Sequence, residues 1–185
     1  VDSIADELMH YIVNEQRCYL ASKEEQDALT NVVLAGGKLN RKCVGRDAKT
    51  LLGMIGVTVP DNIRCITFEG PKEHPLIATE LMMPILGVVR AKDFDDAVEQ
   101  AVWLEHGNRH SAHIHSKNVD RITKYAKAID TAILVKNGPS YAALGFGGEG
   151  FCTFTIASRT GEGLTRASSF TKRRRCVMTD SLCIR

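Results

Sequence analysis

The chain has 185 residues, 44% of them hydrophobic, which suffices for one compact α/β domain with its own core but not for two full domains. Its 24 Lys and Arg residues nearly balance its 22 Asp and Glu residues, so there is no overall field that would gather nucleic acid or an anionic membrane. No apolar run approaches the roughly 20 residues of a membrane-spanning helix, and the first residues do not resemble a signal peptide. A soluble, cytoplasmic protein without nucleic-acid or membrane partners is expected.

The start of the chain predicts a helix at once. Ser3 with Asp6 forms a capping-type pair, and apolar residues then recur at helical spacing. These apolar residues are Ile4, Leu8, Tyr11 and Ile12. Because Val1 is not a start methionine and a helix so placed usually follows a strand, we expect the chain to begin inside a domain.

Two further helices are predicted before residue 60. Ser22 and Glu25 form a capping box that opens a helix running to a stop at Gly36–Gly37. A third, short helix is predicted over Asp47–Ile55.

From residue 65 onward, strands and helices alternate. Asp93 and Asn118 are N-cap signals, each followed by an amphipathic helix. The predicted strands are Cys65–Phe68, Ile85–Val89, Ser111–His115 and Ala132–Val135. This order predicts right-handed crossovers and an α/β fold of three layers, in which helices flank a mostly parallel sheet.

The tail has a different character. After Asn137 the chain becomes rich in glycine, and two candidate strands follow, Phe151–Ala157 and Arg174–Met178, with no helix between them. A lone two-stranded ribbon is only marginally stable, so we expect a β extension that pairs with another subunit. The predicted organisation is a domain over 1–137 and an oligomerising β tail over 138–185.

The glycine-rich segment Gly145–Gly150 formally matches G-x-G-x-x-G. A dinucleotide fingerprint requires a helix next, because the helix N-terminus holds the pyrophosphate, but here the β-rich run Phe151–Thr155 follows. A flexible turn or a loop near a ligand is the better interpretation. Glu149 and Glu162 are carboxylates in glycine-rich loops, and nothing in the sequence pairs them for acid–base chemistry.

Metal and thiol motifs are weak. Four histidines fall within ten residues, but no carboxylate or cysteine accompanies them at ligand spacing, so no metal is expected. These are His106, His110, His113 and His115.

The six cysteines contain no C-x-x-C pair and are typical of reduced thiols, although an even count also leaves disulfides open. The basic run Lys172–Arg175 favours a solvated strand edge over a site for phosphates or an acidic partner.

Several motifs together resemble the CoA-acylating branch of the aldehyde dehydrogenase superfamily. The segment Thr79–Pro84 is similar to the superfamily's Glu-x-Phe-Gly-Pro signature, with Met82-Met83 in place of Phe-Gly. The stretches Gly107–Ala112 and Lys136–Ser140 are similar to the acylating branch, in which His-Ser or His-Thr replaces a Tyr-Gly-Leu. The ending, from Gly147 to Val177, is similar to the microcompartment enzymes that act on propionaldehyde and acetaldehyde.

The resemblance covers essentially the whole chain and implies a function. The whole enzyme would convert propionaldehyde, CoA and NAD to propionyl-CoA and NADH through a cysteine thioester. The nucleophilic cysteine and the nucleotide-binding half would belong to a missing N-terminal half, which is the expected partner of this chain, so the chain alone should be inactive. An acetaldehyde dehydrogenase of ethanolamine utilisation and a stand-alone binding or assembly module are the alternatives.

The resemblance also implies site residues. Glu80 and Pro84 are expected to contact the NAD cofactor, with Glu80 accepting hydrogen bonds from the nicotinamide ribose, and Asn137 and Gly138 are expected to bind cofactor as well. His110 is expected to border the acyl-thioester site and to act in catalysis. CoA would be the second cofactor of the full-length enzyme. Homo-oligomers, a microcompartment shell as partner and a place in the microcompartment lumen are implied in the same way.

Overall fold

The computed structural model describes residues 1–148, 153, 164–177 and 179. The chain forms two compact units, Val1–His106 and Gly107–Arg185. This division falls inside the predicted domain 1–137, and the predicted boundary between residues 137 and 138 stays a prediction. The helices are α1 (Ala5–Asn14), α2 (Lys23–Val33), α3 (Ala48–Met54), α4 (Pro75–Ala78), α5 (Phe94–Glu105) and α6 (Val119–Ile129). The strands are β1 (Cys18–Leu20), β2 (Cys65–Glu69), β3 (Ile85–Val88), β4 (Ser111–Ile114) and β5 (Ile133–Lys136).

The first unit contains a parallel three-stranded sheet with the order β1-β2-β3. The middle strand carries three consecutive fully buried residues, Ile66, Thr67 and Phe68. Such a run is typical of a parallel strand that is covered on both faces. Thr67 satisfies its buried hydroxyl by donating to the carbonyl oxygen of Leu86 on β3, at 3.0 Å.

Helices α2 and α3 supply much of the remaining core of this unit. Leu29 and Val33 of α2 and Leu51 and Leu52 of α3 are fully buried in the same cluster as Ile66. Both helices begin at predicted caps. The Ser22 hydroxyl accepts from the Glu25 N–H within a complete capping box, and the Asp47 carboxylate accepts from the Thr50 N–H. The caps thus fix the residue at which each helix begins, and the helical repeat then places these leucines on the face toward the core.

The predicted cap at Ser3 is wrong. Residues Asp2–Ile4 form a short 3-10 helix, and Ile4 stands at the N-cap position of α1 without a side-chain cap. An N-cap residue needs an extended backbone, and the backbone at Ser3 is already helical. Asp6 instead forms an ion pair with Arg90.

The second unit contains the parallel pair β4-β5 with α6 between the two strands in sequence. Asn118 caps α6 as predicted, because its side chain accepts from the Arg121 N–H. The helix ends at Asp130 in the left-handed conformation. Parallel strands with flanking helices confirm the predicted α/β class.

Two short 3-10 helices, Ser140–Leu144 and Ala167–Phe170, follow β5. The predicted strand Phe151–Ala157 lies outside the described residues except for Thr153. The predicted strand Arg174–Met178 is not formed in this chain, since its described residues, 174–177, have no regular structure. A strand needs a neighbour to accept and donate its backbone hydrogen bonds. The oligomerising β extension therefore stays a prediction. None of the helices in the described part of the chain is long and apolar enough to cross a lipid bilayer.

Candidate functional site

The segment that ends in Pro84 leads directly into β3. Leu81 is buried and anchors the segment to the core, whereas the neighbouring Glu80 is exposed. Met82 has a left-handed backbone (φ 54°), and its carbonyl oxygen accepts a hydrogen bond from the Gly45 N–H at 3.1 Å. Within the described residues the Glu80 carboxylate has no ion-pair partner. The segment thus presents a carboxylate that is able to accept hydrogen bonds from a ligand.

Pro84 has a structural task in the same segment. Its carbonyl oxygen accepts from the Ile66 N–H at 2.9 Å and from the Cys65 thiol at 3.3 Å. These bonds join the start of β3 to β2. Pro84 therefore fixes the position from which Glu80 projects, and its predicted contact with a cofactor stays a prediction.

His110 immediately precedes β4, and its neighbour Arg109 has a left-handed backbone (φ 53°). Arg109 pairs with Asp130 at 2.7 Å, and the His110 carbonyl oxygen accepts from the Ile133 N–H at 3.1 Å. The His110 ring is exposed, with Nδ1 3.0 Å from the Ser111 hydroxyl. These contacts fix the backbone on both sides of His110, and its side chain lies on the exposed surface.

Asn137 follows β5 and ties it to the loop after β4. Its side-chain oxygen accepts from the Ser116 N–H at 2.8 Å, and its side-chain nitrogen donates to the Ser116 carbonyl oxygen at 2.9 Å. Both ends of the amide are thus engaged within the chain. A Cβ added at Gly138 would meet Val135 at 3.4 Å, an ordinary contact.

The structure does not bring His110 together with Asn137 and Gly138. His110 precedes the first residue of β4, and Asn137 follows the last residue of β5, which is paired with Ile114. Five residue steps at about 3.3 Å place these sites roughly 16 Å apart along the strands. The predicted acyl-site residue and the predicted pair Asn137–Gly138 consequently occupy opposite ends of one strand pair.

A histidine–serine contact lies near Asn137 and was not predicted. The Nε2 atom of His113 and the Ser140 hydroxyl oxygen are 2.8 Å apart, although 27 residues separate them in sequence. Burial, followed by the charge of His115, lowers the pKa of His113. Among the residues that the structure describes, no three His, Cys, Asp or Glu side chains gather into a metal site.

An arginine cluster at the carboxyl ends of β2 and β3 was also not predicted. The Arg90 guanidinium pairs with Glu69 at 2.6 Å, with Asp2 at 3.1 Å and with Asp6. These three carboxylates raise the pKa of Arg90, Glu69 contributing most. The cluster links α1 to the central sheet of the first unit.

Cys18 and Cys65 do not have the properties of a nucleophile. Cys18 begins strand β1. Burial raises the pKa of Cys18, and burial together with the neighbouring Cys18 raises the pKa of Cys65 to about 11. A nucleophilic cysteine needs the opposite, an electropositive surrounding that favours the thiolate.

The glycine-rich segment forms a turn against the 3-10 helix Ser140–Leu144. Gly145 and Gly147 have positive φ, and a Cβ at Gly148 would come within 2.7 Å of the Ala142 carbonyl oxygen. Only glycine fits such a close approach. Glu149 and Glu162 lie outside the described residues. The basic run Lys172–Arg175 is exposed, in keeping with a solvated segment.

The family follows from comparison with known proteins. The profile of the aldehyde dehydrogenase family matches residues 63–168, more than half of the chain. The chain belongs to the aldehyde dehydrogenase family.

Particular relatives are more informative. The chain is 44% identical over 189 aligned residues to the acetaldehyde dehydrogenase (acetylating) EutE of Salmonella typhimurium, and covers 100% of itself and 40% of that protein. It is 80% identical to a propionaldehyde dehydrogenase from the Clostridium phytofermentans fucose utilisation microcompartment, with a TM-score of 0.92 and 42% of that chain covered. A propionaldehyde dehydrogenase of Rhodopseudomonas palustris, solved with CoA and an acylated cysteine, is 50% identical (TM-score 0.90), with 96% of this chain and 41% of that one covered. The chain thus spans about two fifths of these relatives.

Proposed function

We propose that this chain is part of a CoA-acylating aldehyde dehydrogenase that converts propionaldehyde, CoA and NAD to propionyl-CoA and NADH. The observation that carries the proposal is the 80% identity to a propionaldehyde dehydrogenase over the whole chain. The acylated cysteine in the R. palustris relative supports a thioester route. NAD, when bound, accepts the hydride, and CoA collects the acyl group.

The substrate is tested by kinetics on the full-length enzyme. The alternative is acetaldehyde, favoured by the 44% identity to EutE. One methylene in an apolar pocket changes specificity by about 10- to 200-fold. We expect a higher kcat/KM for propionaldehyde than for acetaldehyde, with propionyl-CoA as product. A clear preference for acetaldehyde would assign the chain to the alternative.

Glu80 is proposed to accept hydrogen bonds from the nicotinamide ribose hydroxyls in the full-length enzyme. The exposed carboxylate and its lack of an ion-pair partner within the described residues support this role. Glu80→Gln should raise the KM for NAD or slow hydride transfer. Glu99→Gln, an exposed glutamate of α5, is the matched control and should change neither. Unchanged kinetics in Glu80→Gln would remove Glu80 from the site.

His110 is proposed to border the acyl-thioester site. Its exposed ring on a fixed backbone supports this position. General acid–base groups contribute about 10²- to 10⁴-fold, so His110→Ala should slow thioester formation or transfer to CoA well beyond a factor of about two. His115→Ala, another exposed histidine of the same unit, is the control. Equal rates in the two variants would show that His110 has no catalytic role.

The nucleophile and the nucleotide-binding half are proposed to lie in the part of the enzyme outside this chain. The raised thiol pKa values of Cys18 and Cys65 support this division. The isolated chain should therefore oxidise no propionaldehyde with NAD and CoA present. Turnover above background, or an acyl adduct on one cysteine that CoA removes, would show that the chain carries its own nucleophile.

Assembly and location are proposed with support from the same relatives. One relative is named for a bacterial microcompartment, which supports a location in the lumen of a microcompartment inside the cytoplasm. The microcompartment shell would then be a partner. The exposed side chains of Phe170 and Val177 support a tail that contacts another subunit. Deleting residues 171–185 from the full-length enzyme should reduce the number of subunits in the oligomer, which light scattering measures as a lower molar mass of the assembly. An unchanged mass would place the subunit interface elsewhere.

A further inference from the structure

Two cysteines stand side by side on neighbouring strands of the first unit. Cys18 of β1 is the register partner of Cys65 of β2, and the two strands run parallel. Register partners in adjacent strands have Cα atoms about 4.8 Å apart, within the 4.4–6.8 Å range that disulfides span. The two thiols are close enough for each to influence the pKa of the other. Non-local pairing has therefore produced a dithiol from cysteines 47 positions apart.

The surroundings of this dithiol make both thiols slow to react. Cys18 is buried and Cys65 is half-buried, and the Cys65 thiol also donates to the carbonyl oxygen of Pro84. The pKa of Cys65, raised to about 11, leaves a small thiolate fraction at neutral pH. The pair therefore does not suit catalysis as a nucleophile, and its oxidation is expected to be slow and to need excess oxidant.

The other described cysteines have no such partner thiol. Cys43 is fully buried, and its thiol contacts the Val32 carbonyl oxygen and the Met54 sulfur. Cys176 is exposed in the tail. Cys152 and Cys183 lie outside the described residues. In the described part of the chain the pair Cys18–Cys65 is therefore distinct.

We propose that Cys18 and Cys65 form an oxidative modification site, which closes to a disulfide between β1 and β2 when a hydroperoxide reacts with it. One thiolate attacks the peroxide O–O bond and becomes a sulfenic acid, and the alcohol or water leaves. The second thiol then displaces water from the sulfenic acid and forms the S–S bond. Overall, the thiols lose two electrons and two protons, and the hydroperoxide gains them.

The disulfide would close a covalent loop of the chain that contains α2 and α3, because both helices lie between the two cysteines in sequence. It would also fasten the three-residue strand β1 to the centre of the sheet. Parallel register keeps Cβ atoms at about the strand spacing, wider than the roughly 3.8 Å that a relaxed disulfide prefers. The bond would consequently be strained and readily reduced by small thiols.

Peptide mapping tests the proposal directly. Trypsin cleaves after Arg17 and Arg64, so each cysteine begins its own peptide. The folded protein is treated with hydrogen peroxide, alkylated and digested. We expect a linked pair of these peptides with the summed mass less two hydrogens, lost after dithiothreitol. Its formation rate should rise about tenfold per pH unit below pH 9, because the thiolate fraction does.

The serine variants make the result specific. Cys18→Ser and Cys65→Ser should each abolish the linked pair, whereas Cys43→Ser should leave it intact. The proposal is overturned if both cysteines remain fully alkylated in oxidised wild-type protein while the exposed Cys176 has been oxidised. It is equally overturned if Cys65 links to Cys43 or Cys176 instead of Cys18.

Discussion

The two units of the chain are built in the same way but stabilised differently. The first unit has a core of fully buried side chains, among them Leu29, Leu51 and Phe68. In the second unit the buried apolar residues keep a few per cent of their surface exposed, as Ile133 and Val135 do at 7%. Polar contacts support this thinner core, such as the double hydrogen bond of Asn137 with Ser116. Both units therefore have parallel pairing, but among the described residues the side chains at 0% exposure all lie in the first unit.

The largest effect is expected from a matched pair of isoleucines. Ile66 lies in β2 at 0% exposure and Ile133 lies in β5 at 7%. Ile66→Ala should lower the free energy of unfolding by about 4 kcal/mol and Ile133→Ala by about 2 kcal/mol, within the range for large-to-small core changes. Urea denaturation measures both. Equal losses would show that the two cores are equally well packed.

A second pair of variants tests packing in the first unit by overfilling it. A Cβ at Gly87 would lie 2.2 Å from Cγ1 of Ile77, whereas a Cβ at Gly70 would be 3.5 Å from the same side chain. Gly87→Ala should therefore cost about 1–3 kcal/mol by overpacking, and Gly70→Ala should be close to neutral. If thermal unfolding shows a larger loss of stability for Gly70→Ala than for Gly87→Ala, the close packing of Ile77 against β3 is contradicted.

The third prediction concerns pH and a buried histidine of the first unit. Burial, reinforced by Lys23, lowers the pKa of His74, whose Nδ1 accepts the Leu76 N–H at the start of α4. The folded state binds the proton less well than the unfolded chain. The stabilisation is therefore full above the usual histidine pKa of about 6.5 and is lost as the pH falls through the lower folded value.

His74→Asn provides the control, because asparagine caps a helix but does not titrate in this range. Urea denaturation between pH 5 and 8 should show a smaller fall in stability for the variant than for the wild type. Parallel curves for the two proteins would mean that other groups cause the pH dependence.

The smallest effect is expected at the exposed Arg90 cluster. Arg90 pairs with three carboxylates, whereas Lys49 pairs with Asp61 alone. Arg90→Gln should lower the melting temperature slightly more than Lys49→Gln does, and the difference should shrink in high salt because exposed ion pairs are screened. A difference that survives high salt would indicate that Arg90 acts through packing.

Much of this fold is predictable where a local signal exists. Ser22, Asp47, Asp93 and Asn118 all cap helices as their sequence context predicts. Strand β1 is missed because three residues are too few to show a periodicity, and its pairing with β2 spans a long stretch of sequence. Helix caps can be predicted from a few neighbouring residues, whereas the pairing of β1 with β2 cannot.

In the candidate site too, the sequence predicts single residues but not the contacts between residues that are distant in sequence. Glu80 and His110 were singled out by motif, and both are exposed; His110 directly precedes β4, and Glu80 lies in the segment that leads into β3. The contacts His113–Ser140 and Asn137–Ser116 join residues more than 20 positions apart, so no local pattern indicates them. Motifs identify residues, but only the folded chain shows which side chains are already engaged, as that of Asn137 is.

Both units are proposed to serve one CoA-acylating aldehyde dehydrogenase. The most direct measurement supplies the full-length enzyme with propionaldehyde, NAD and CoA, and quantifies NADH by absorbance and propionyl-CoA by mass spectrometry. We predict equal amounts of the two products, with propionyl-CoA formation dependent on NAD. NADH accompanied by free propionate instead of propionyl-CoA, or no NADH at all, would contradict the proposed function.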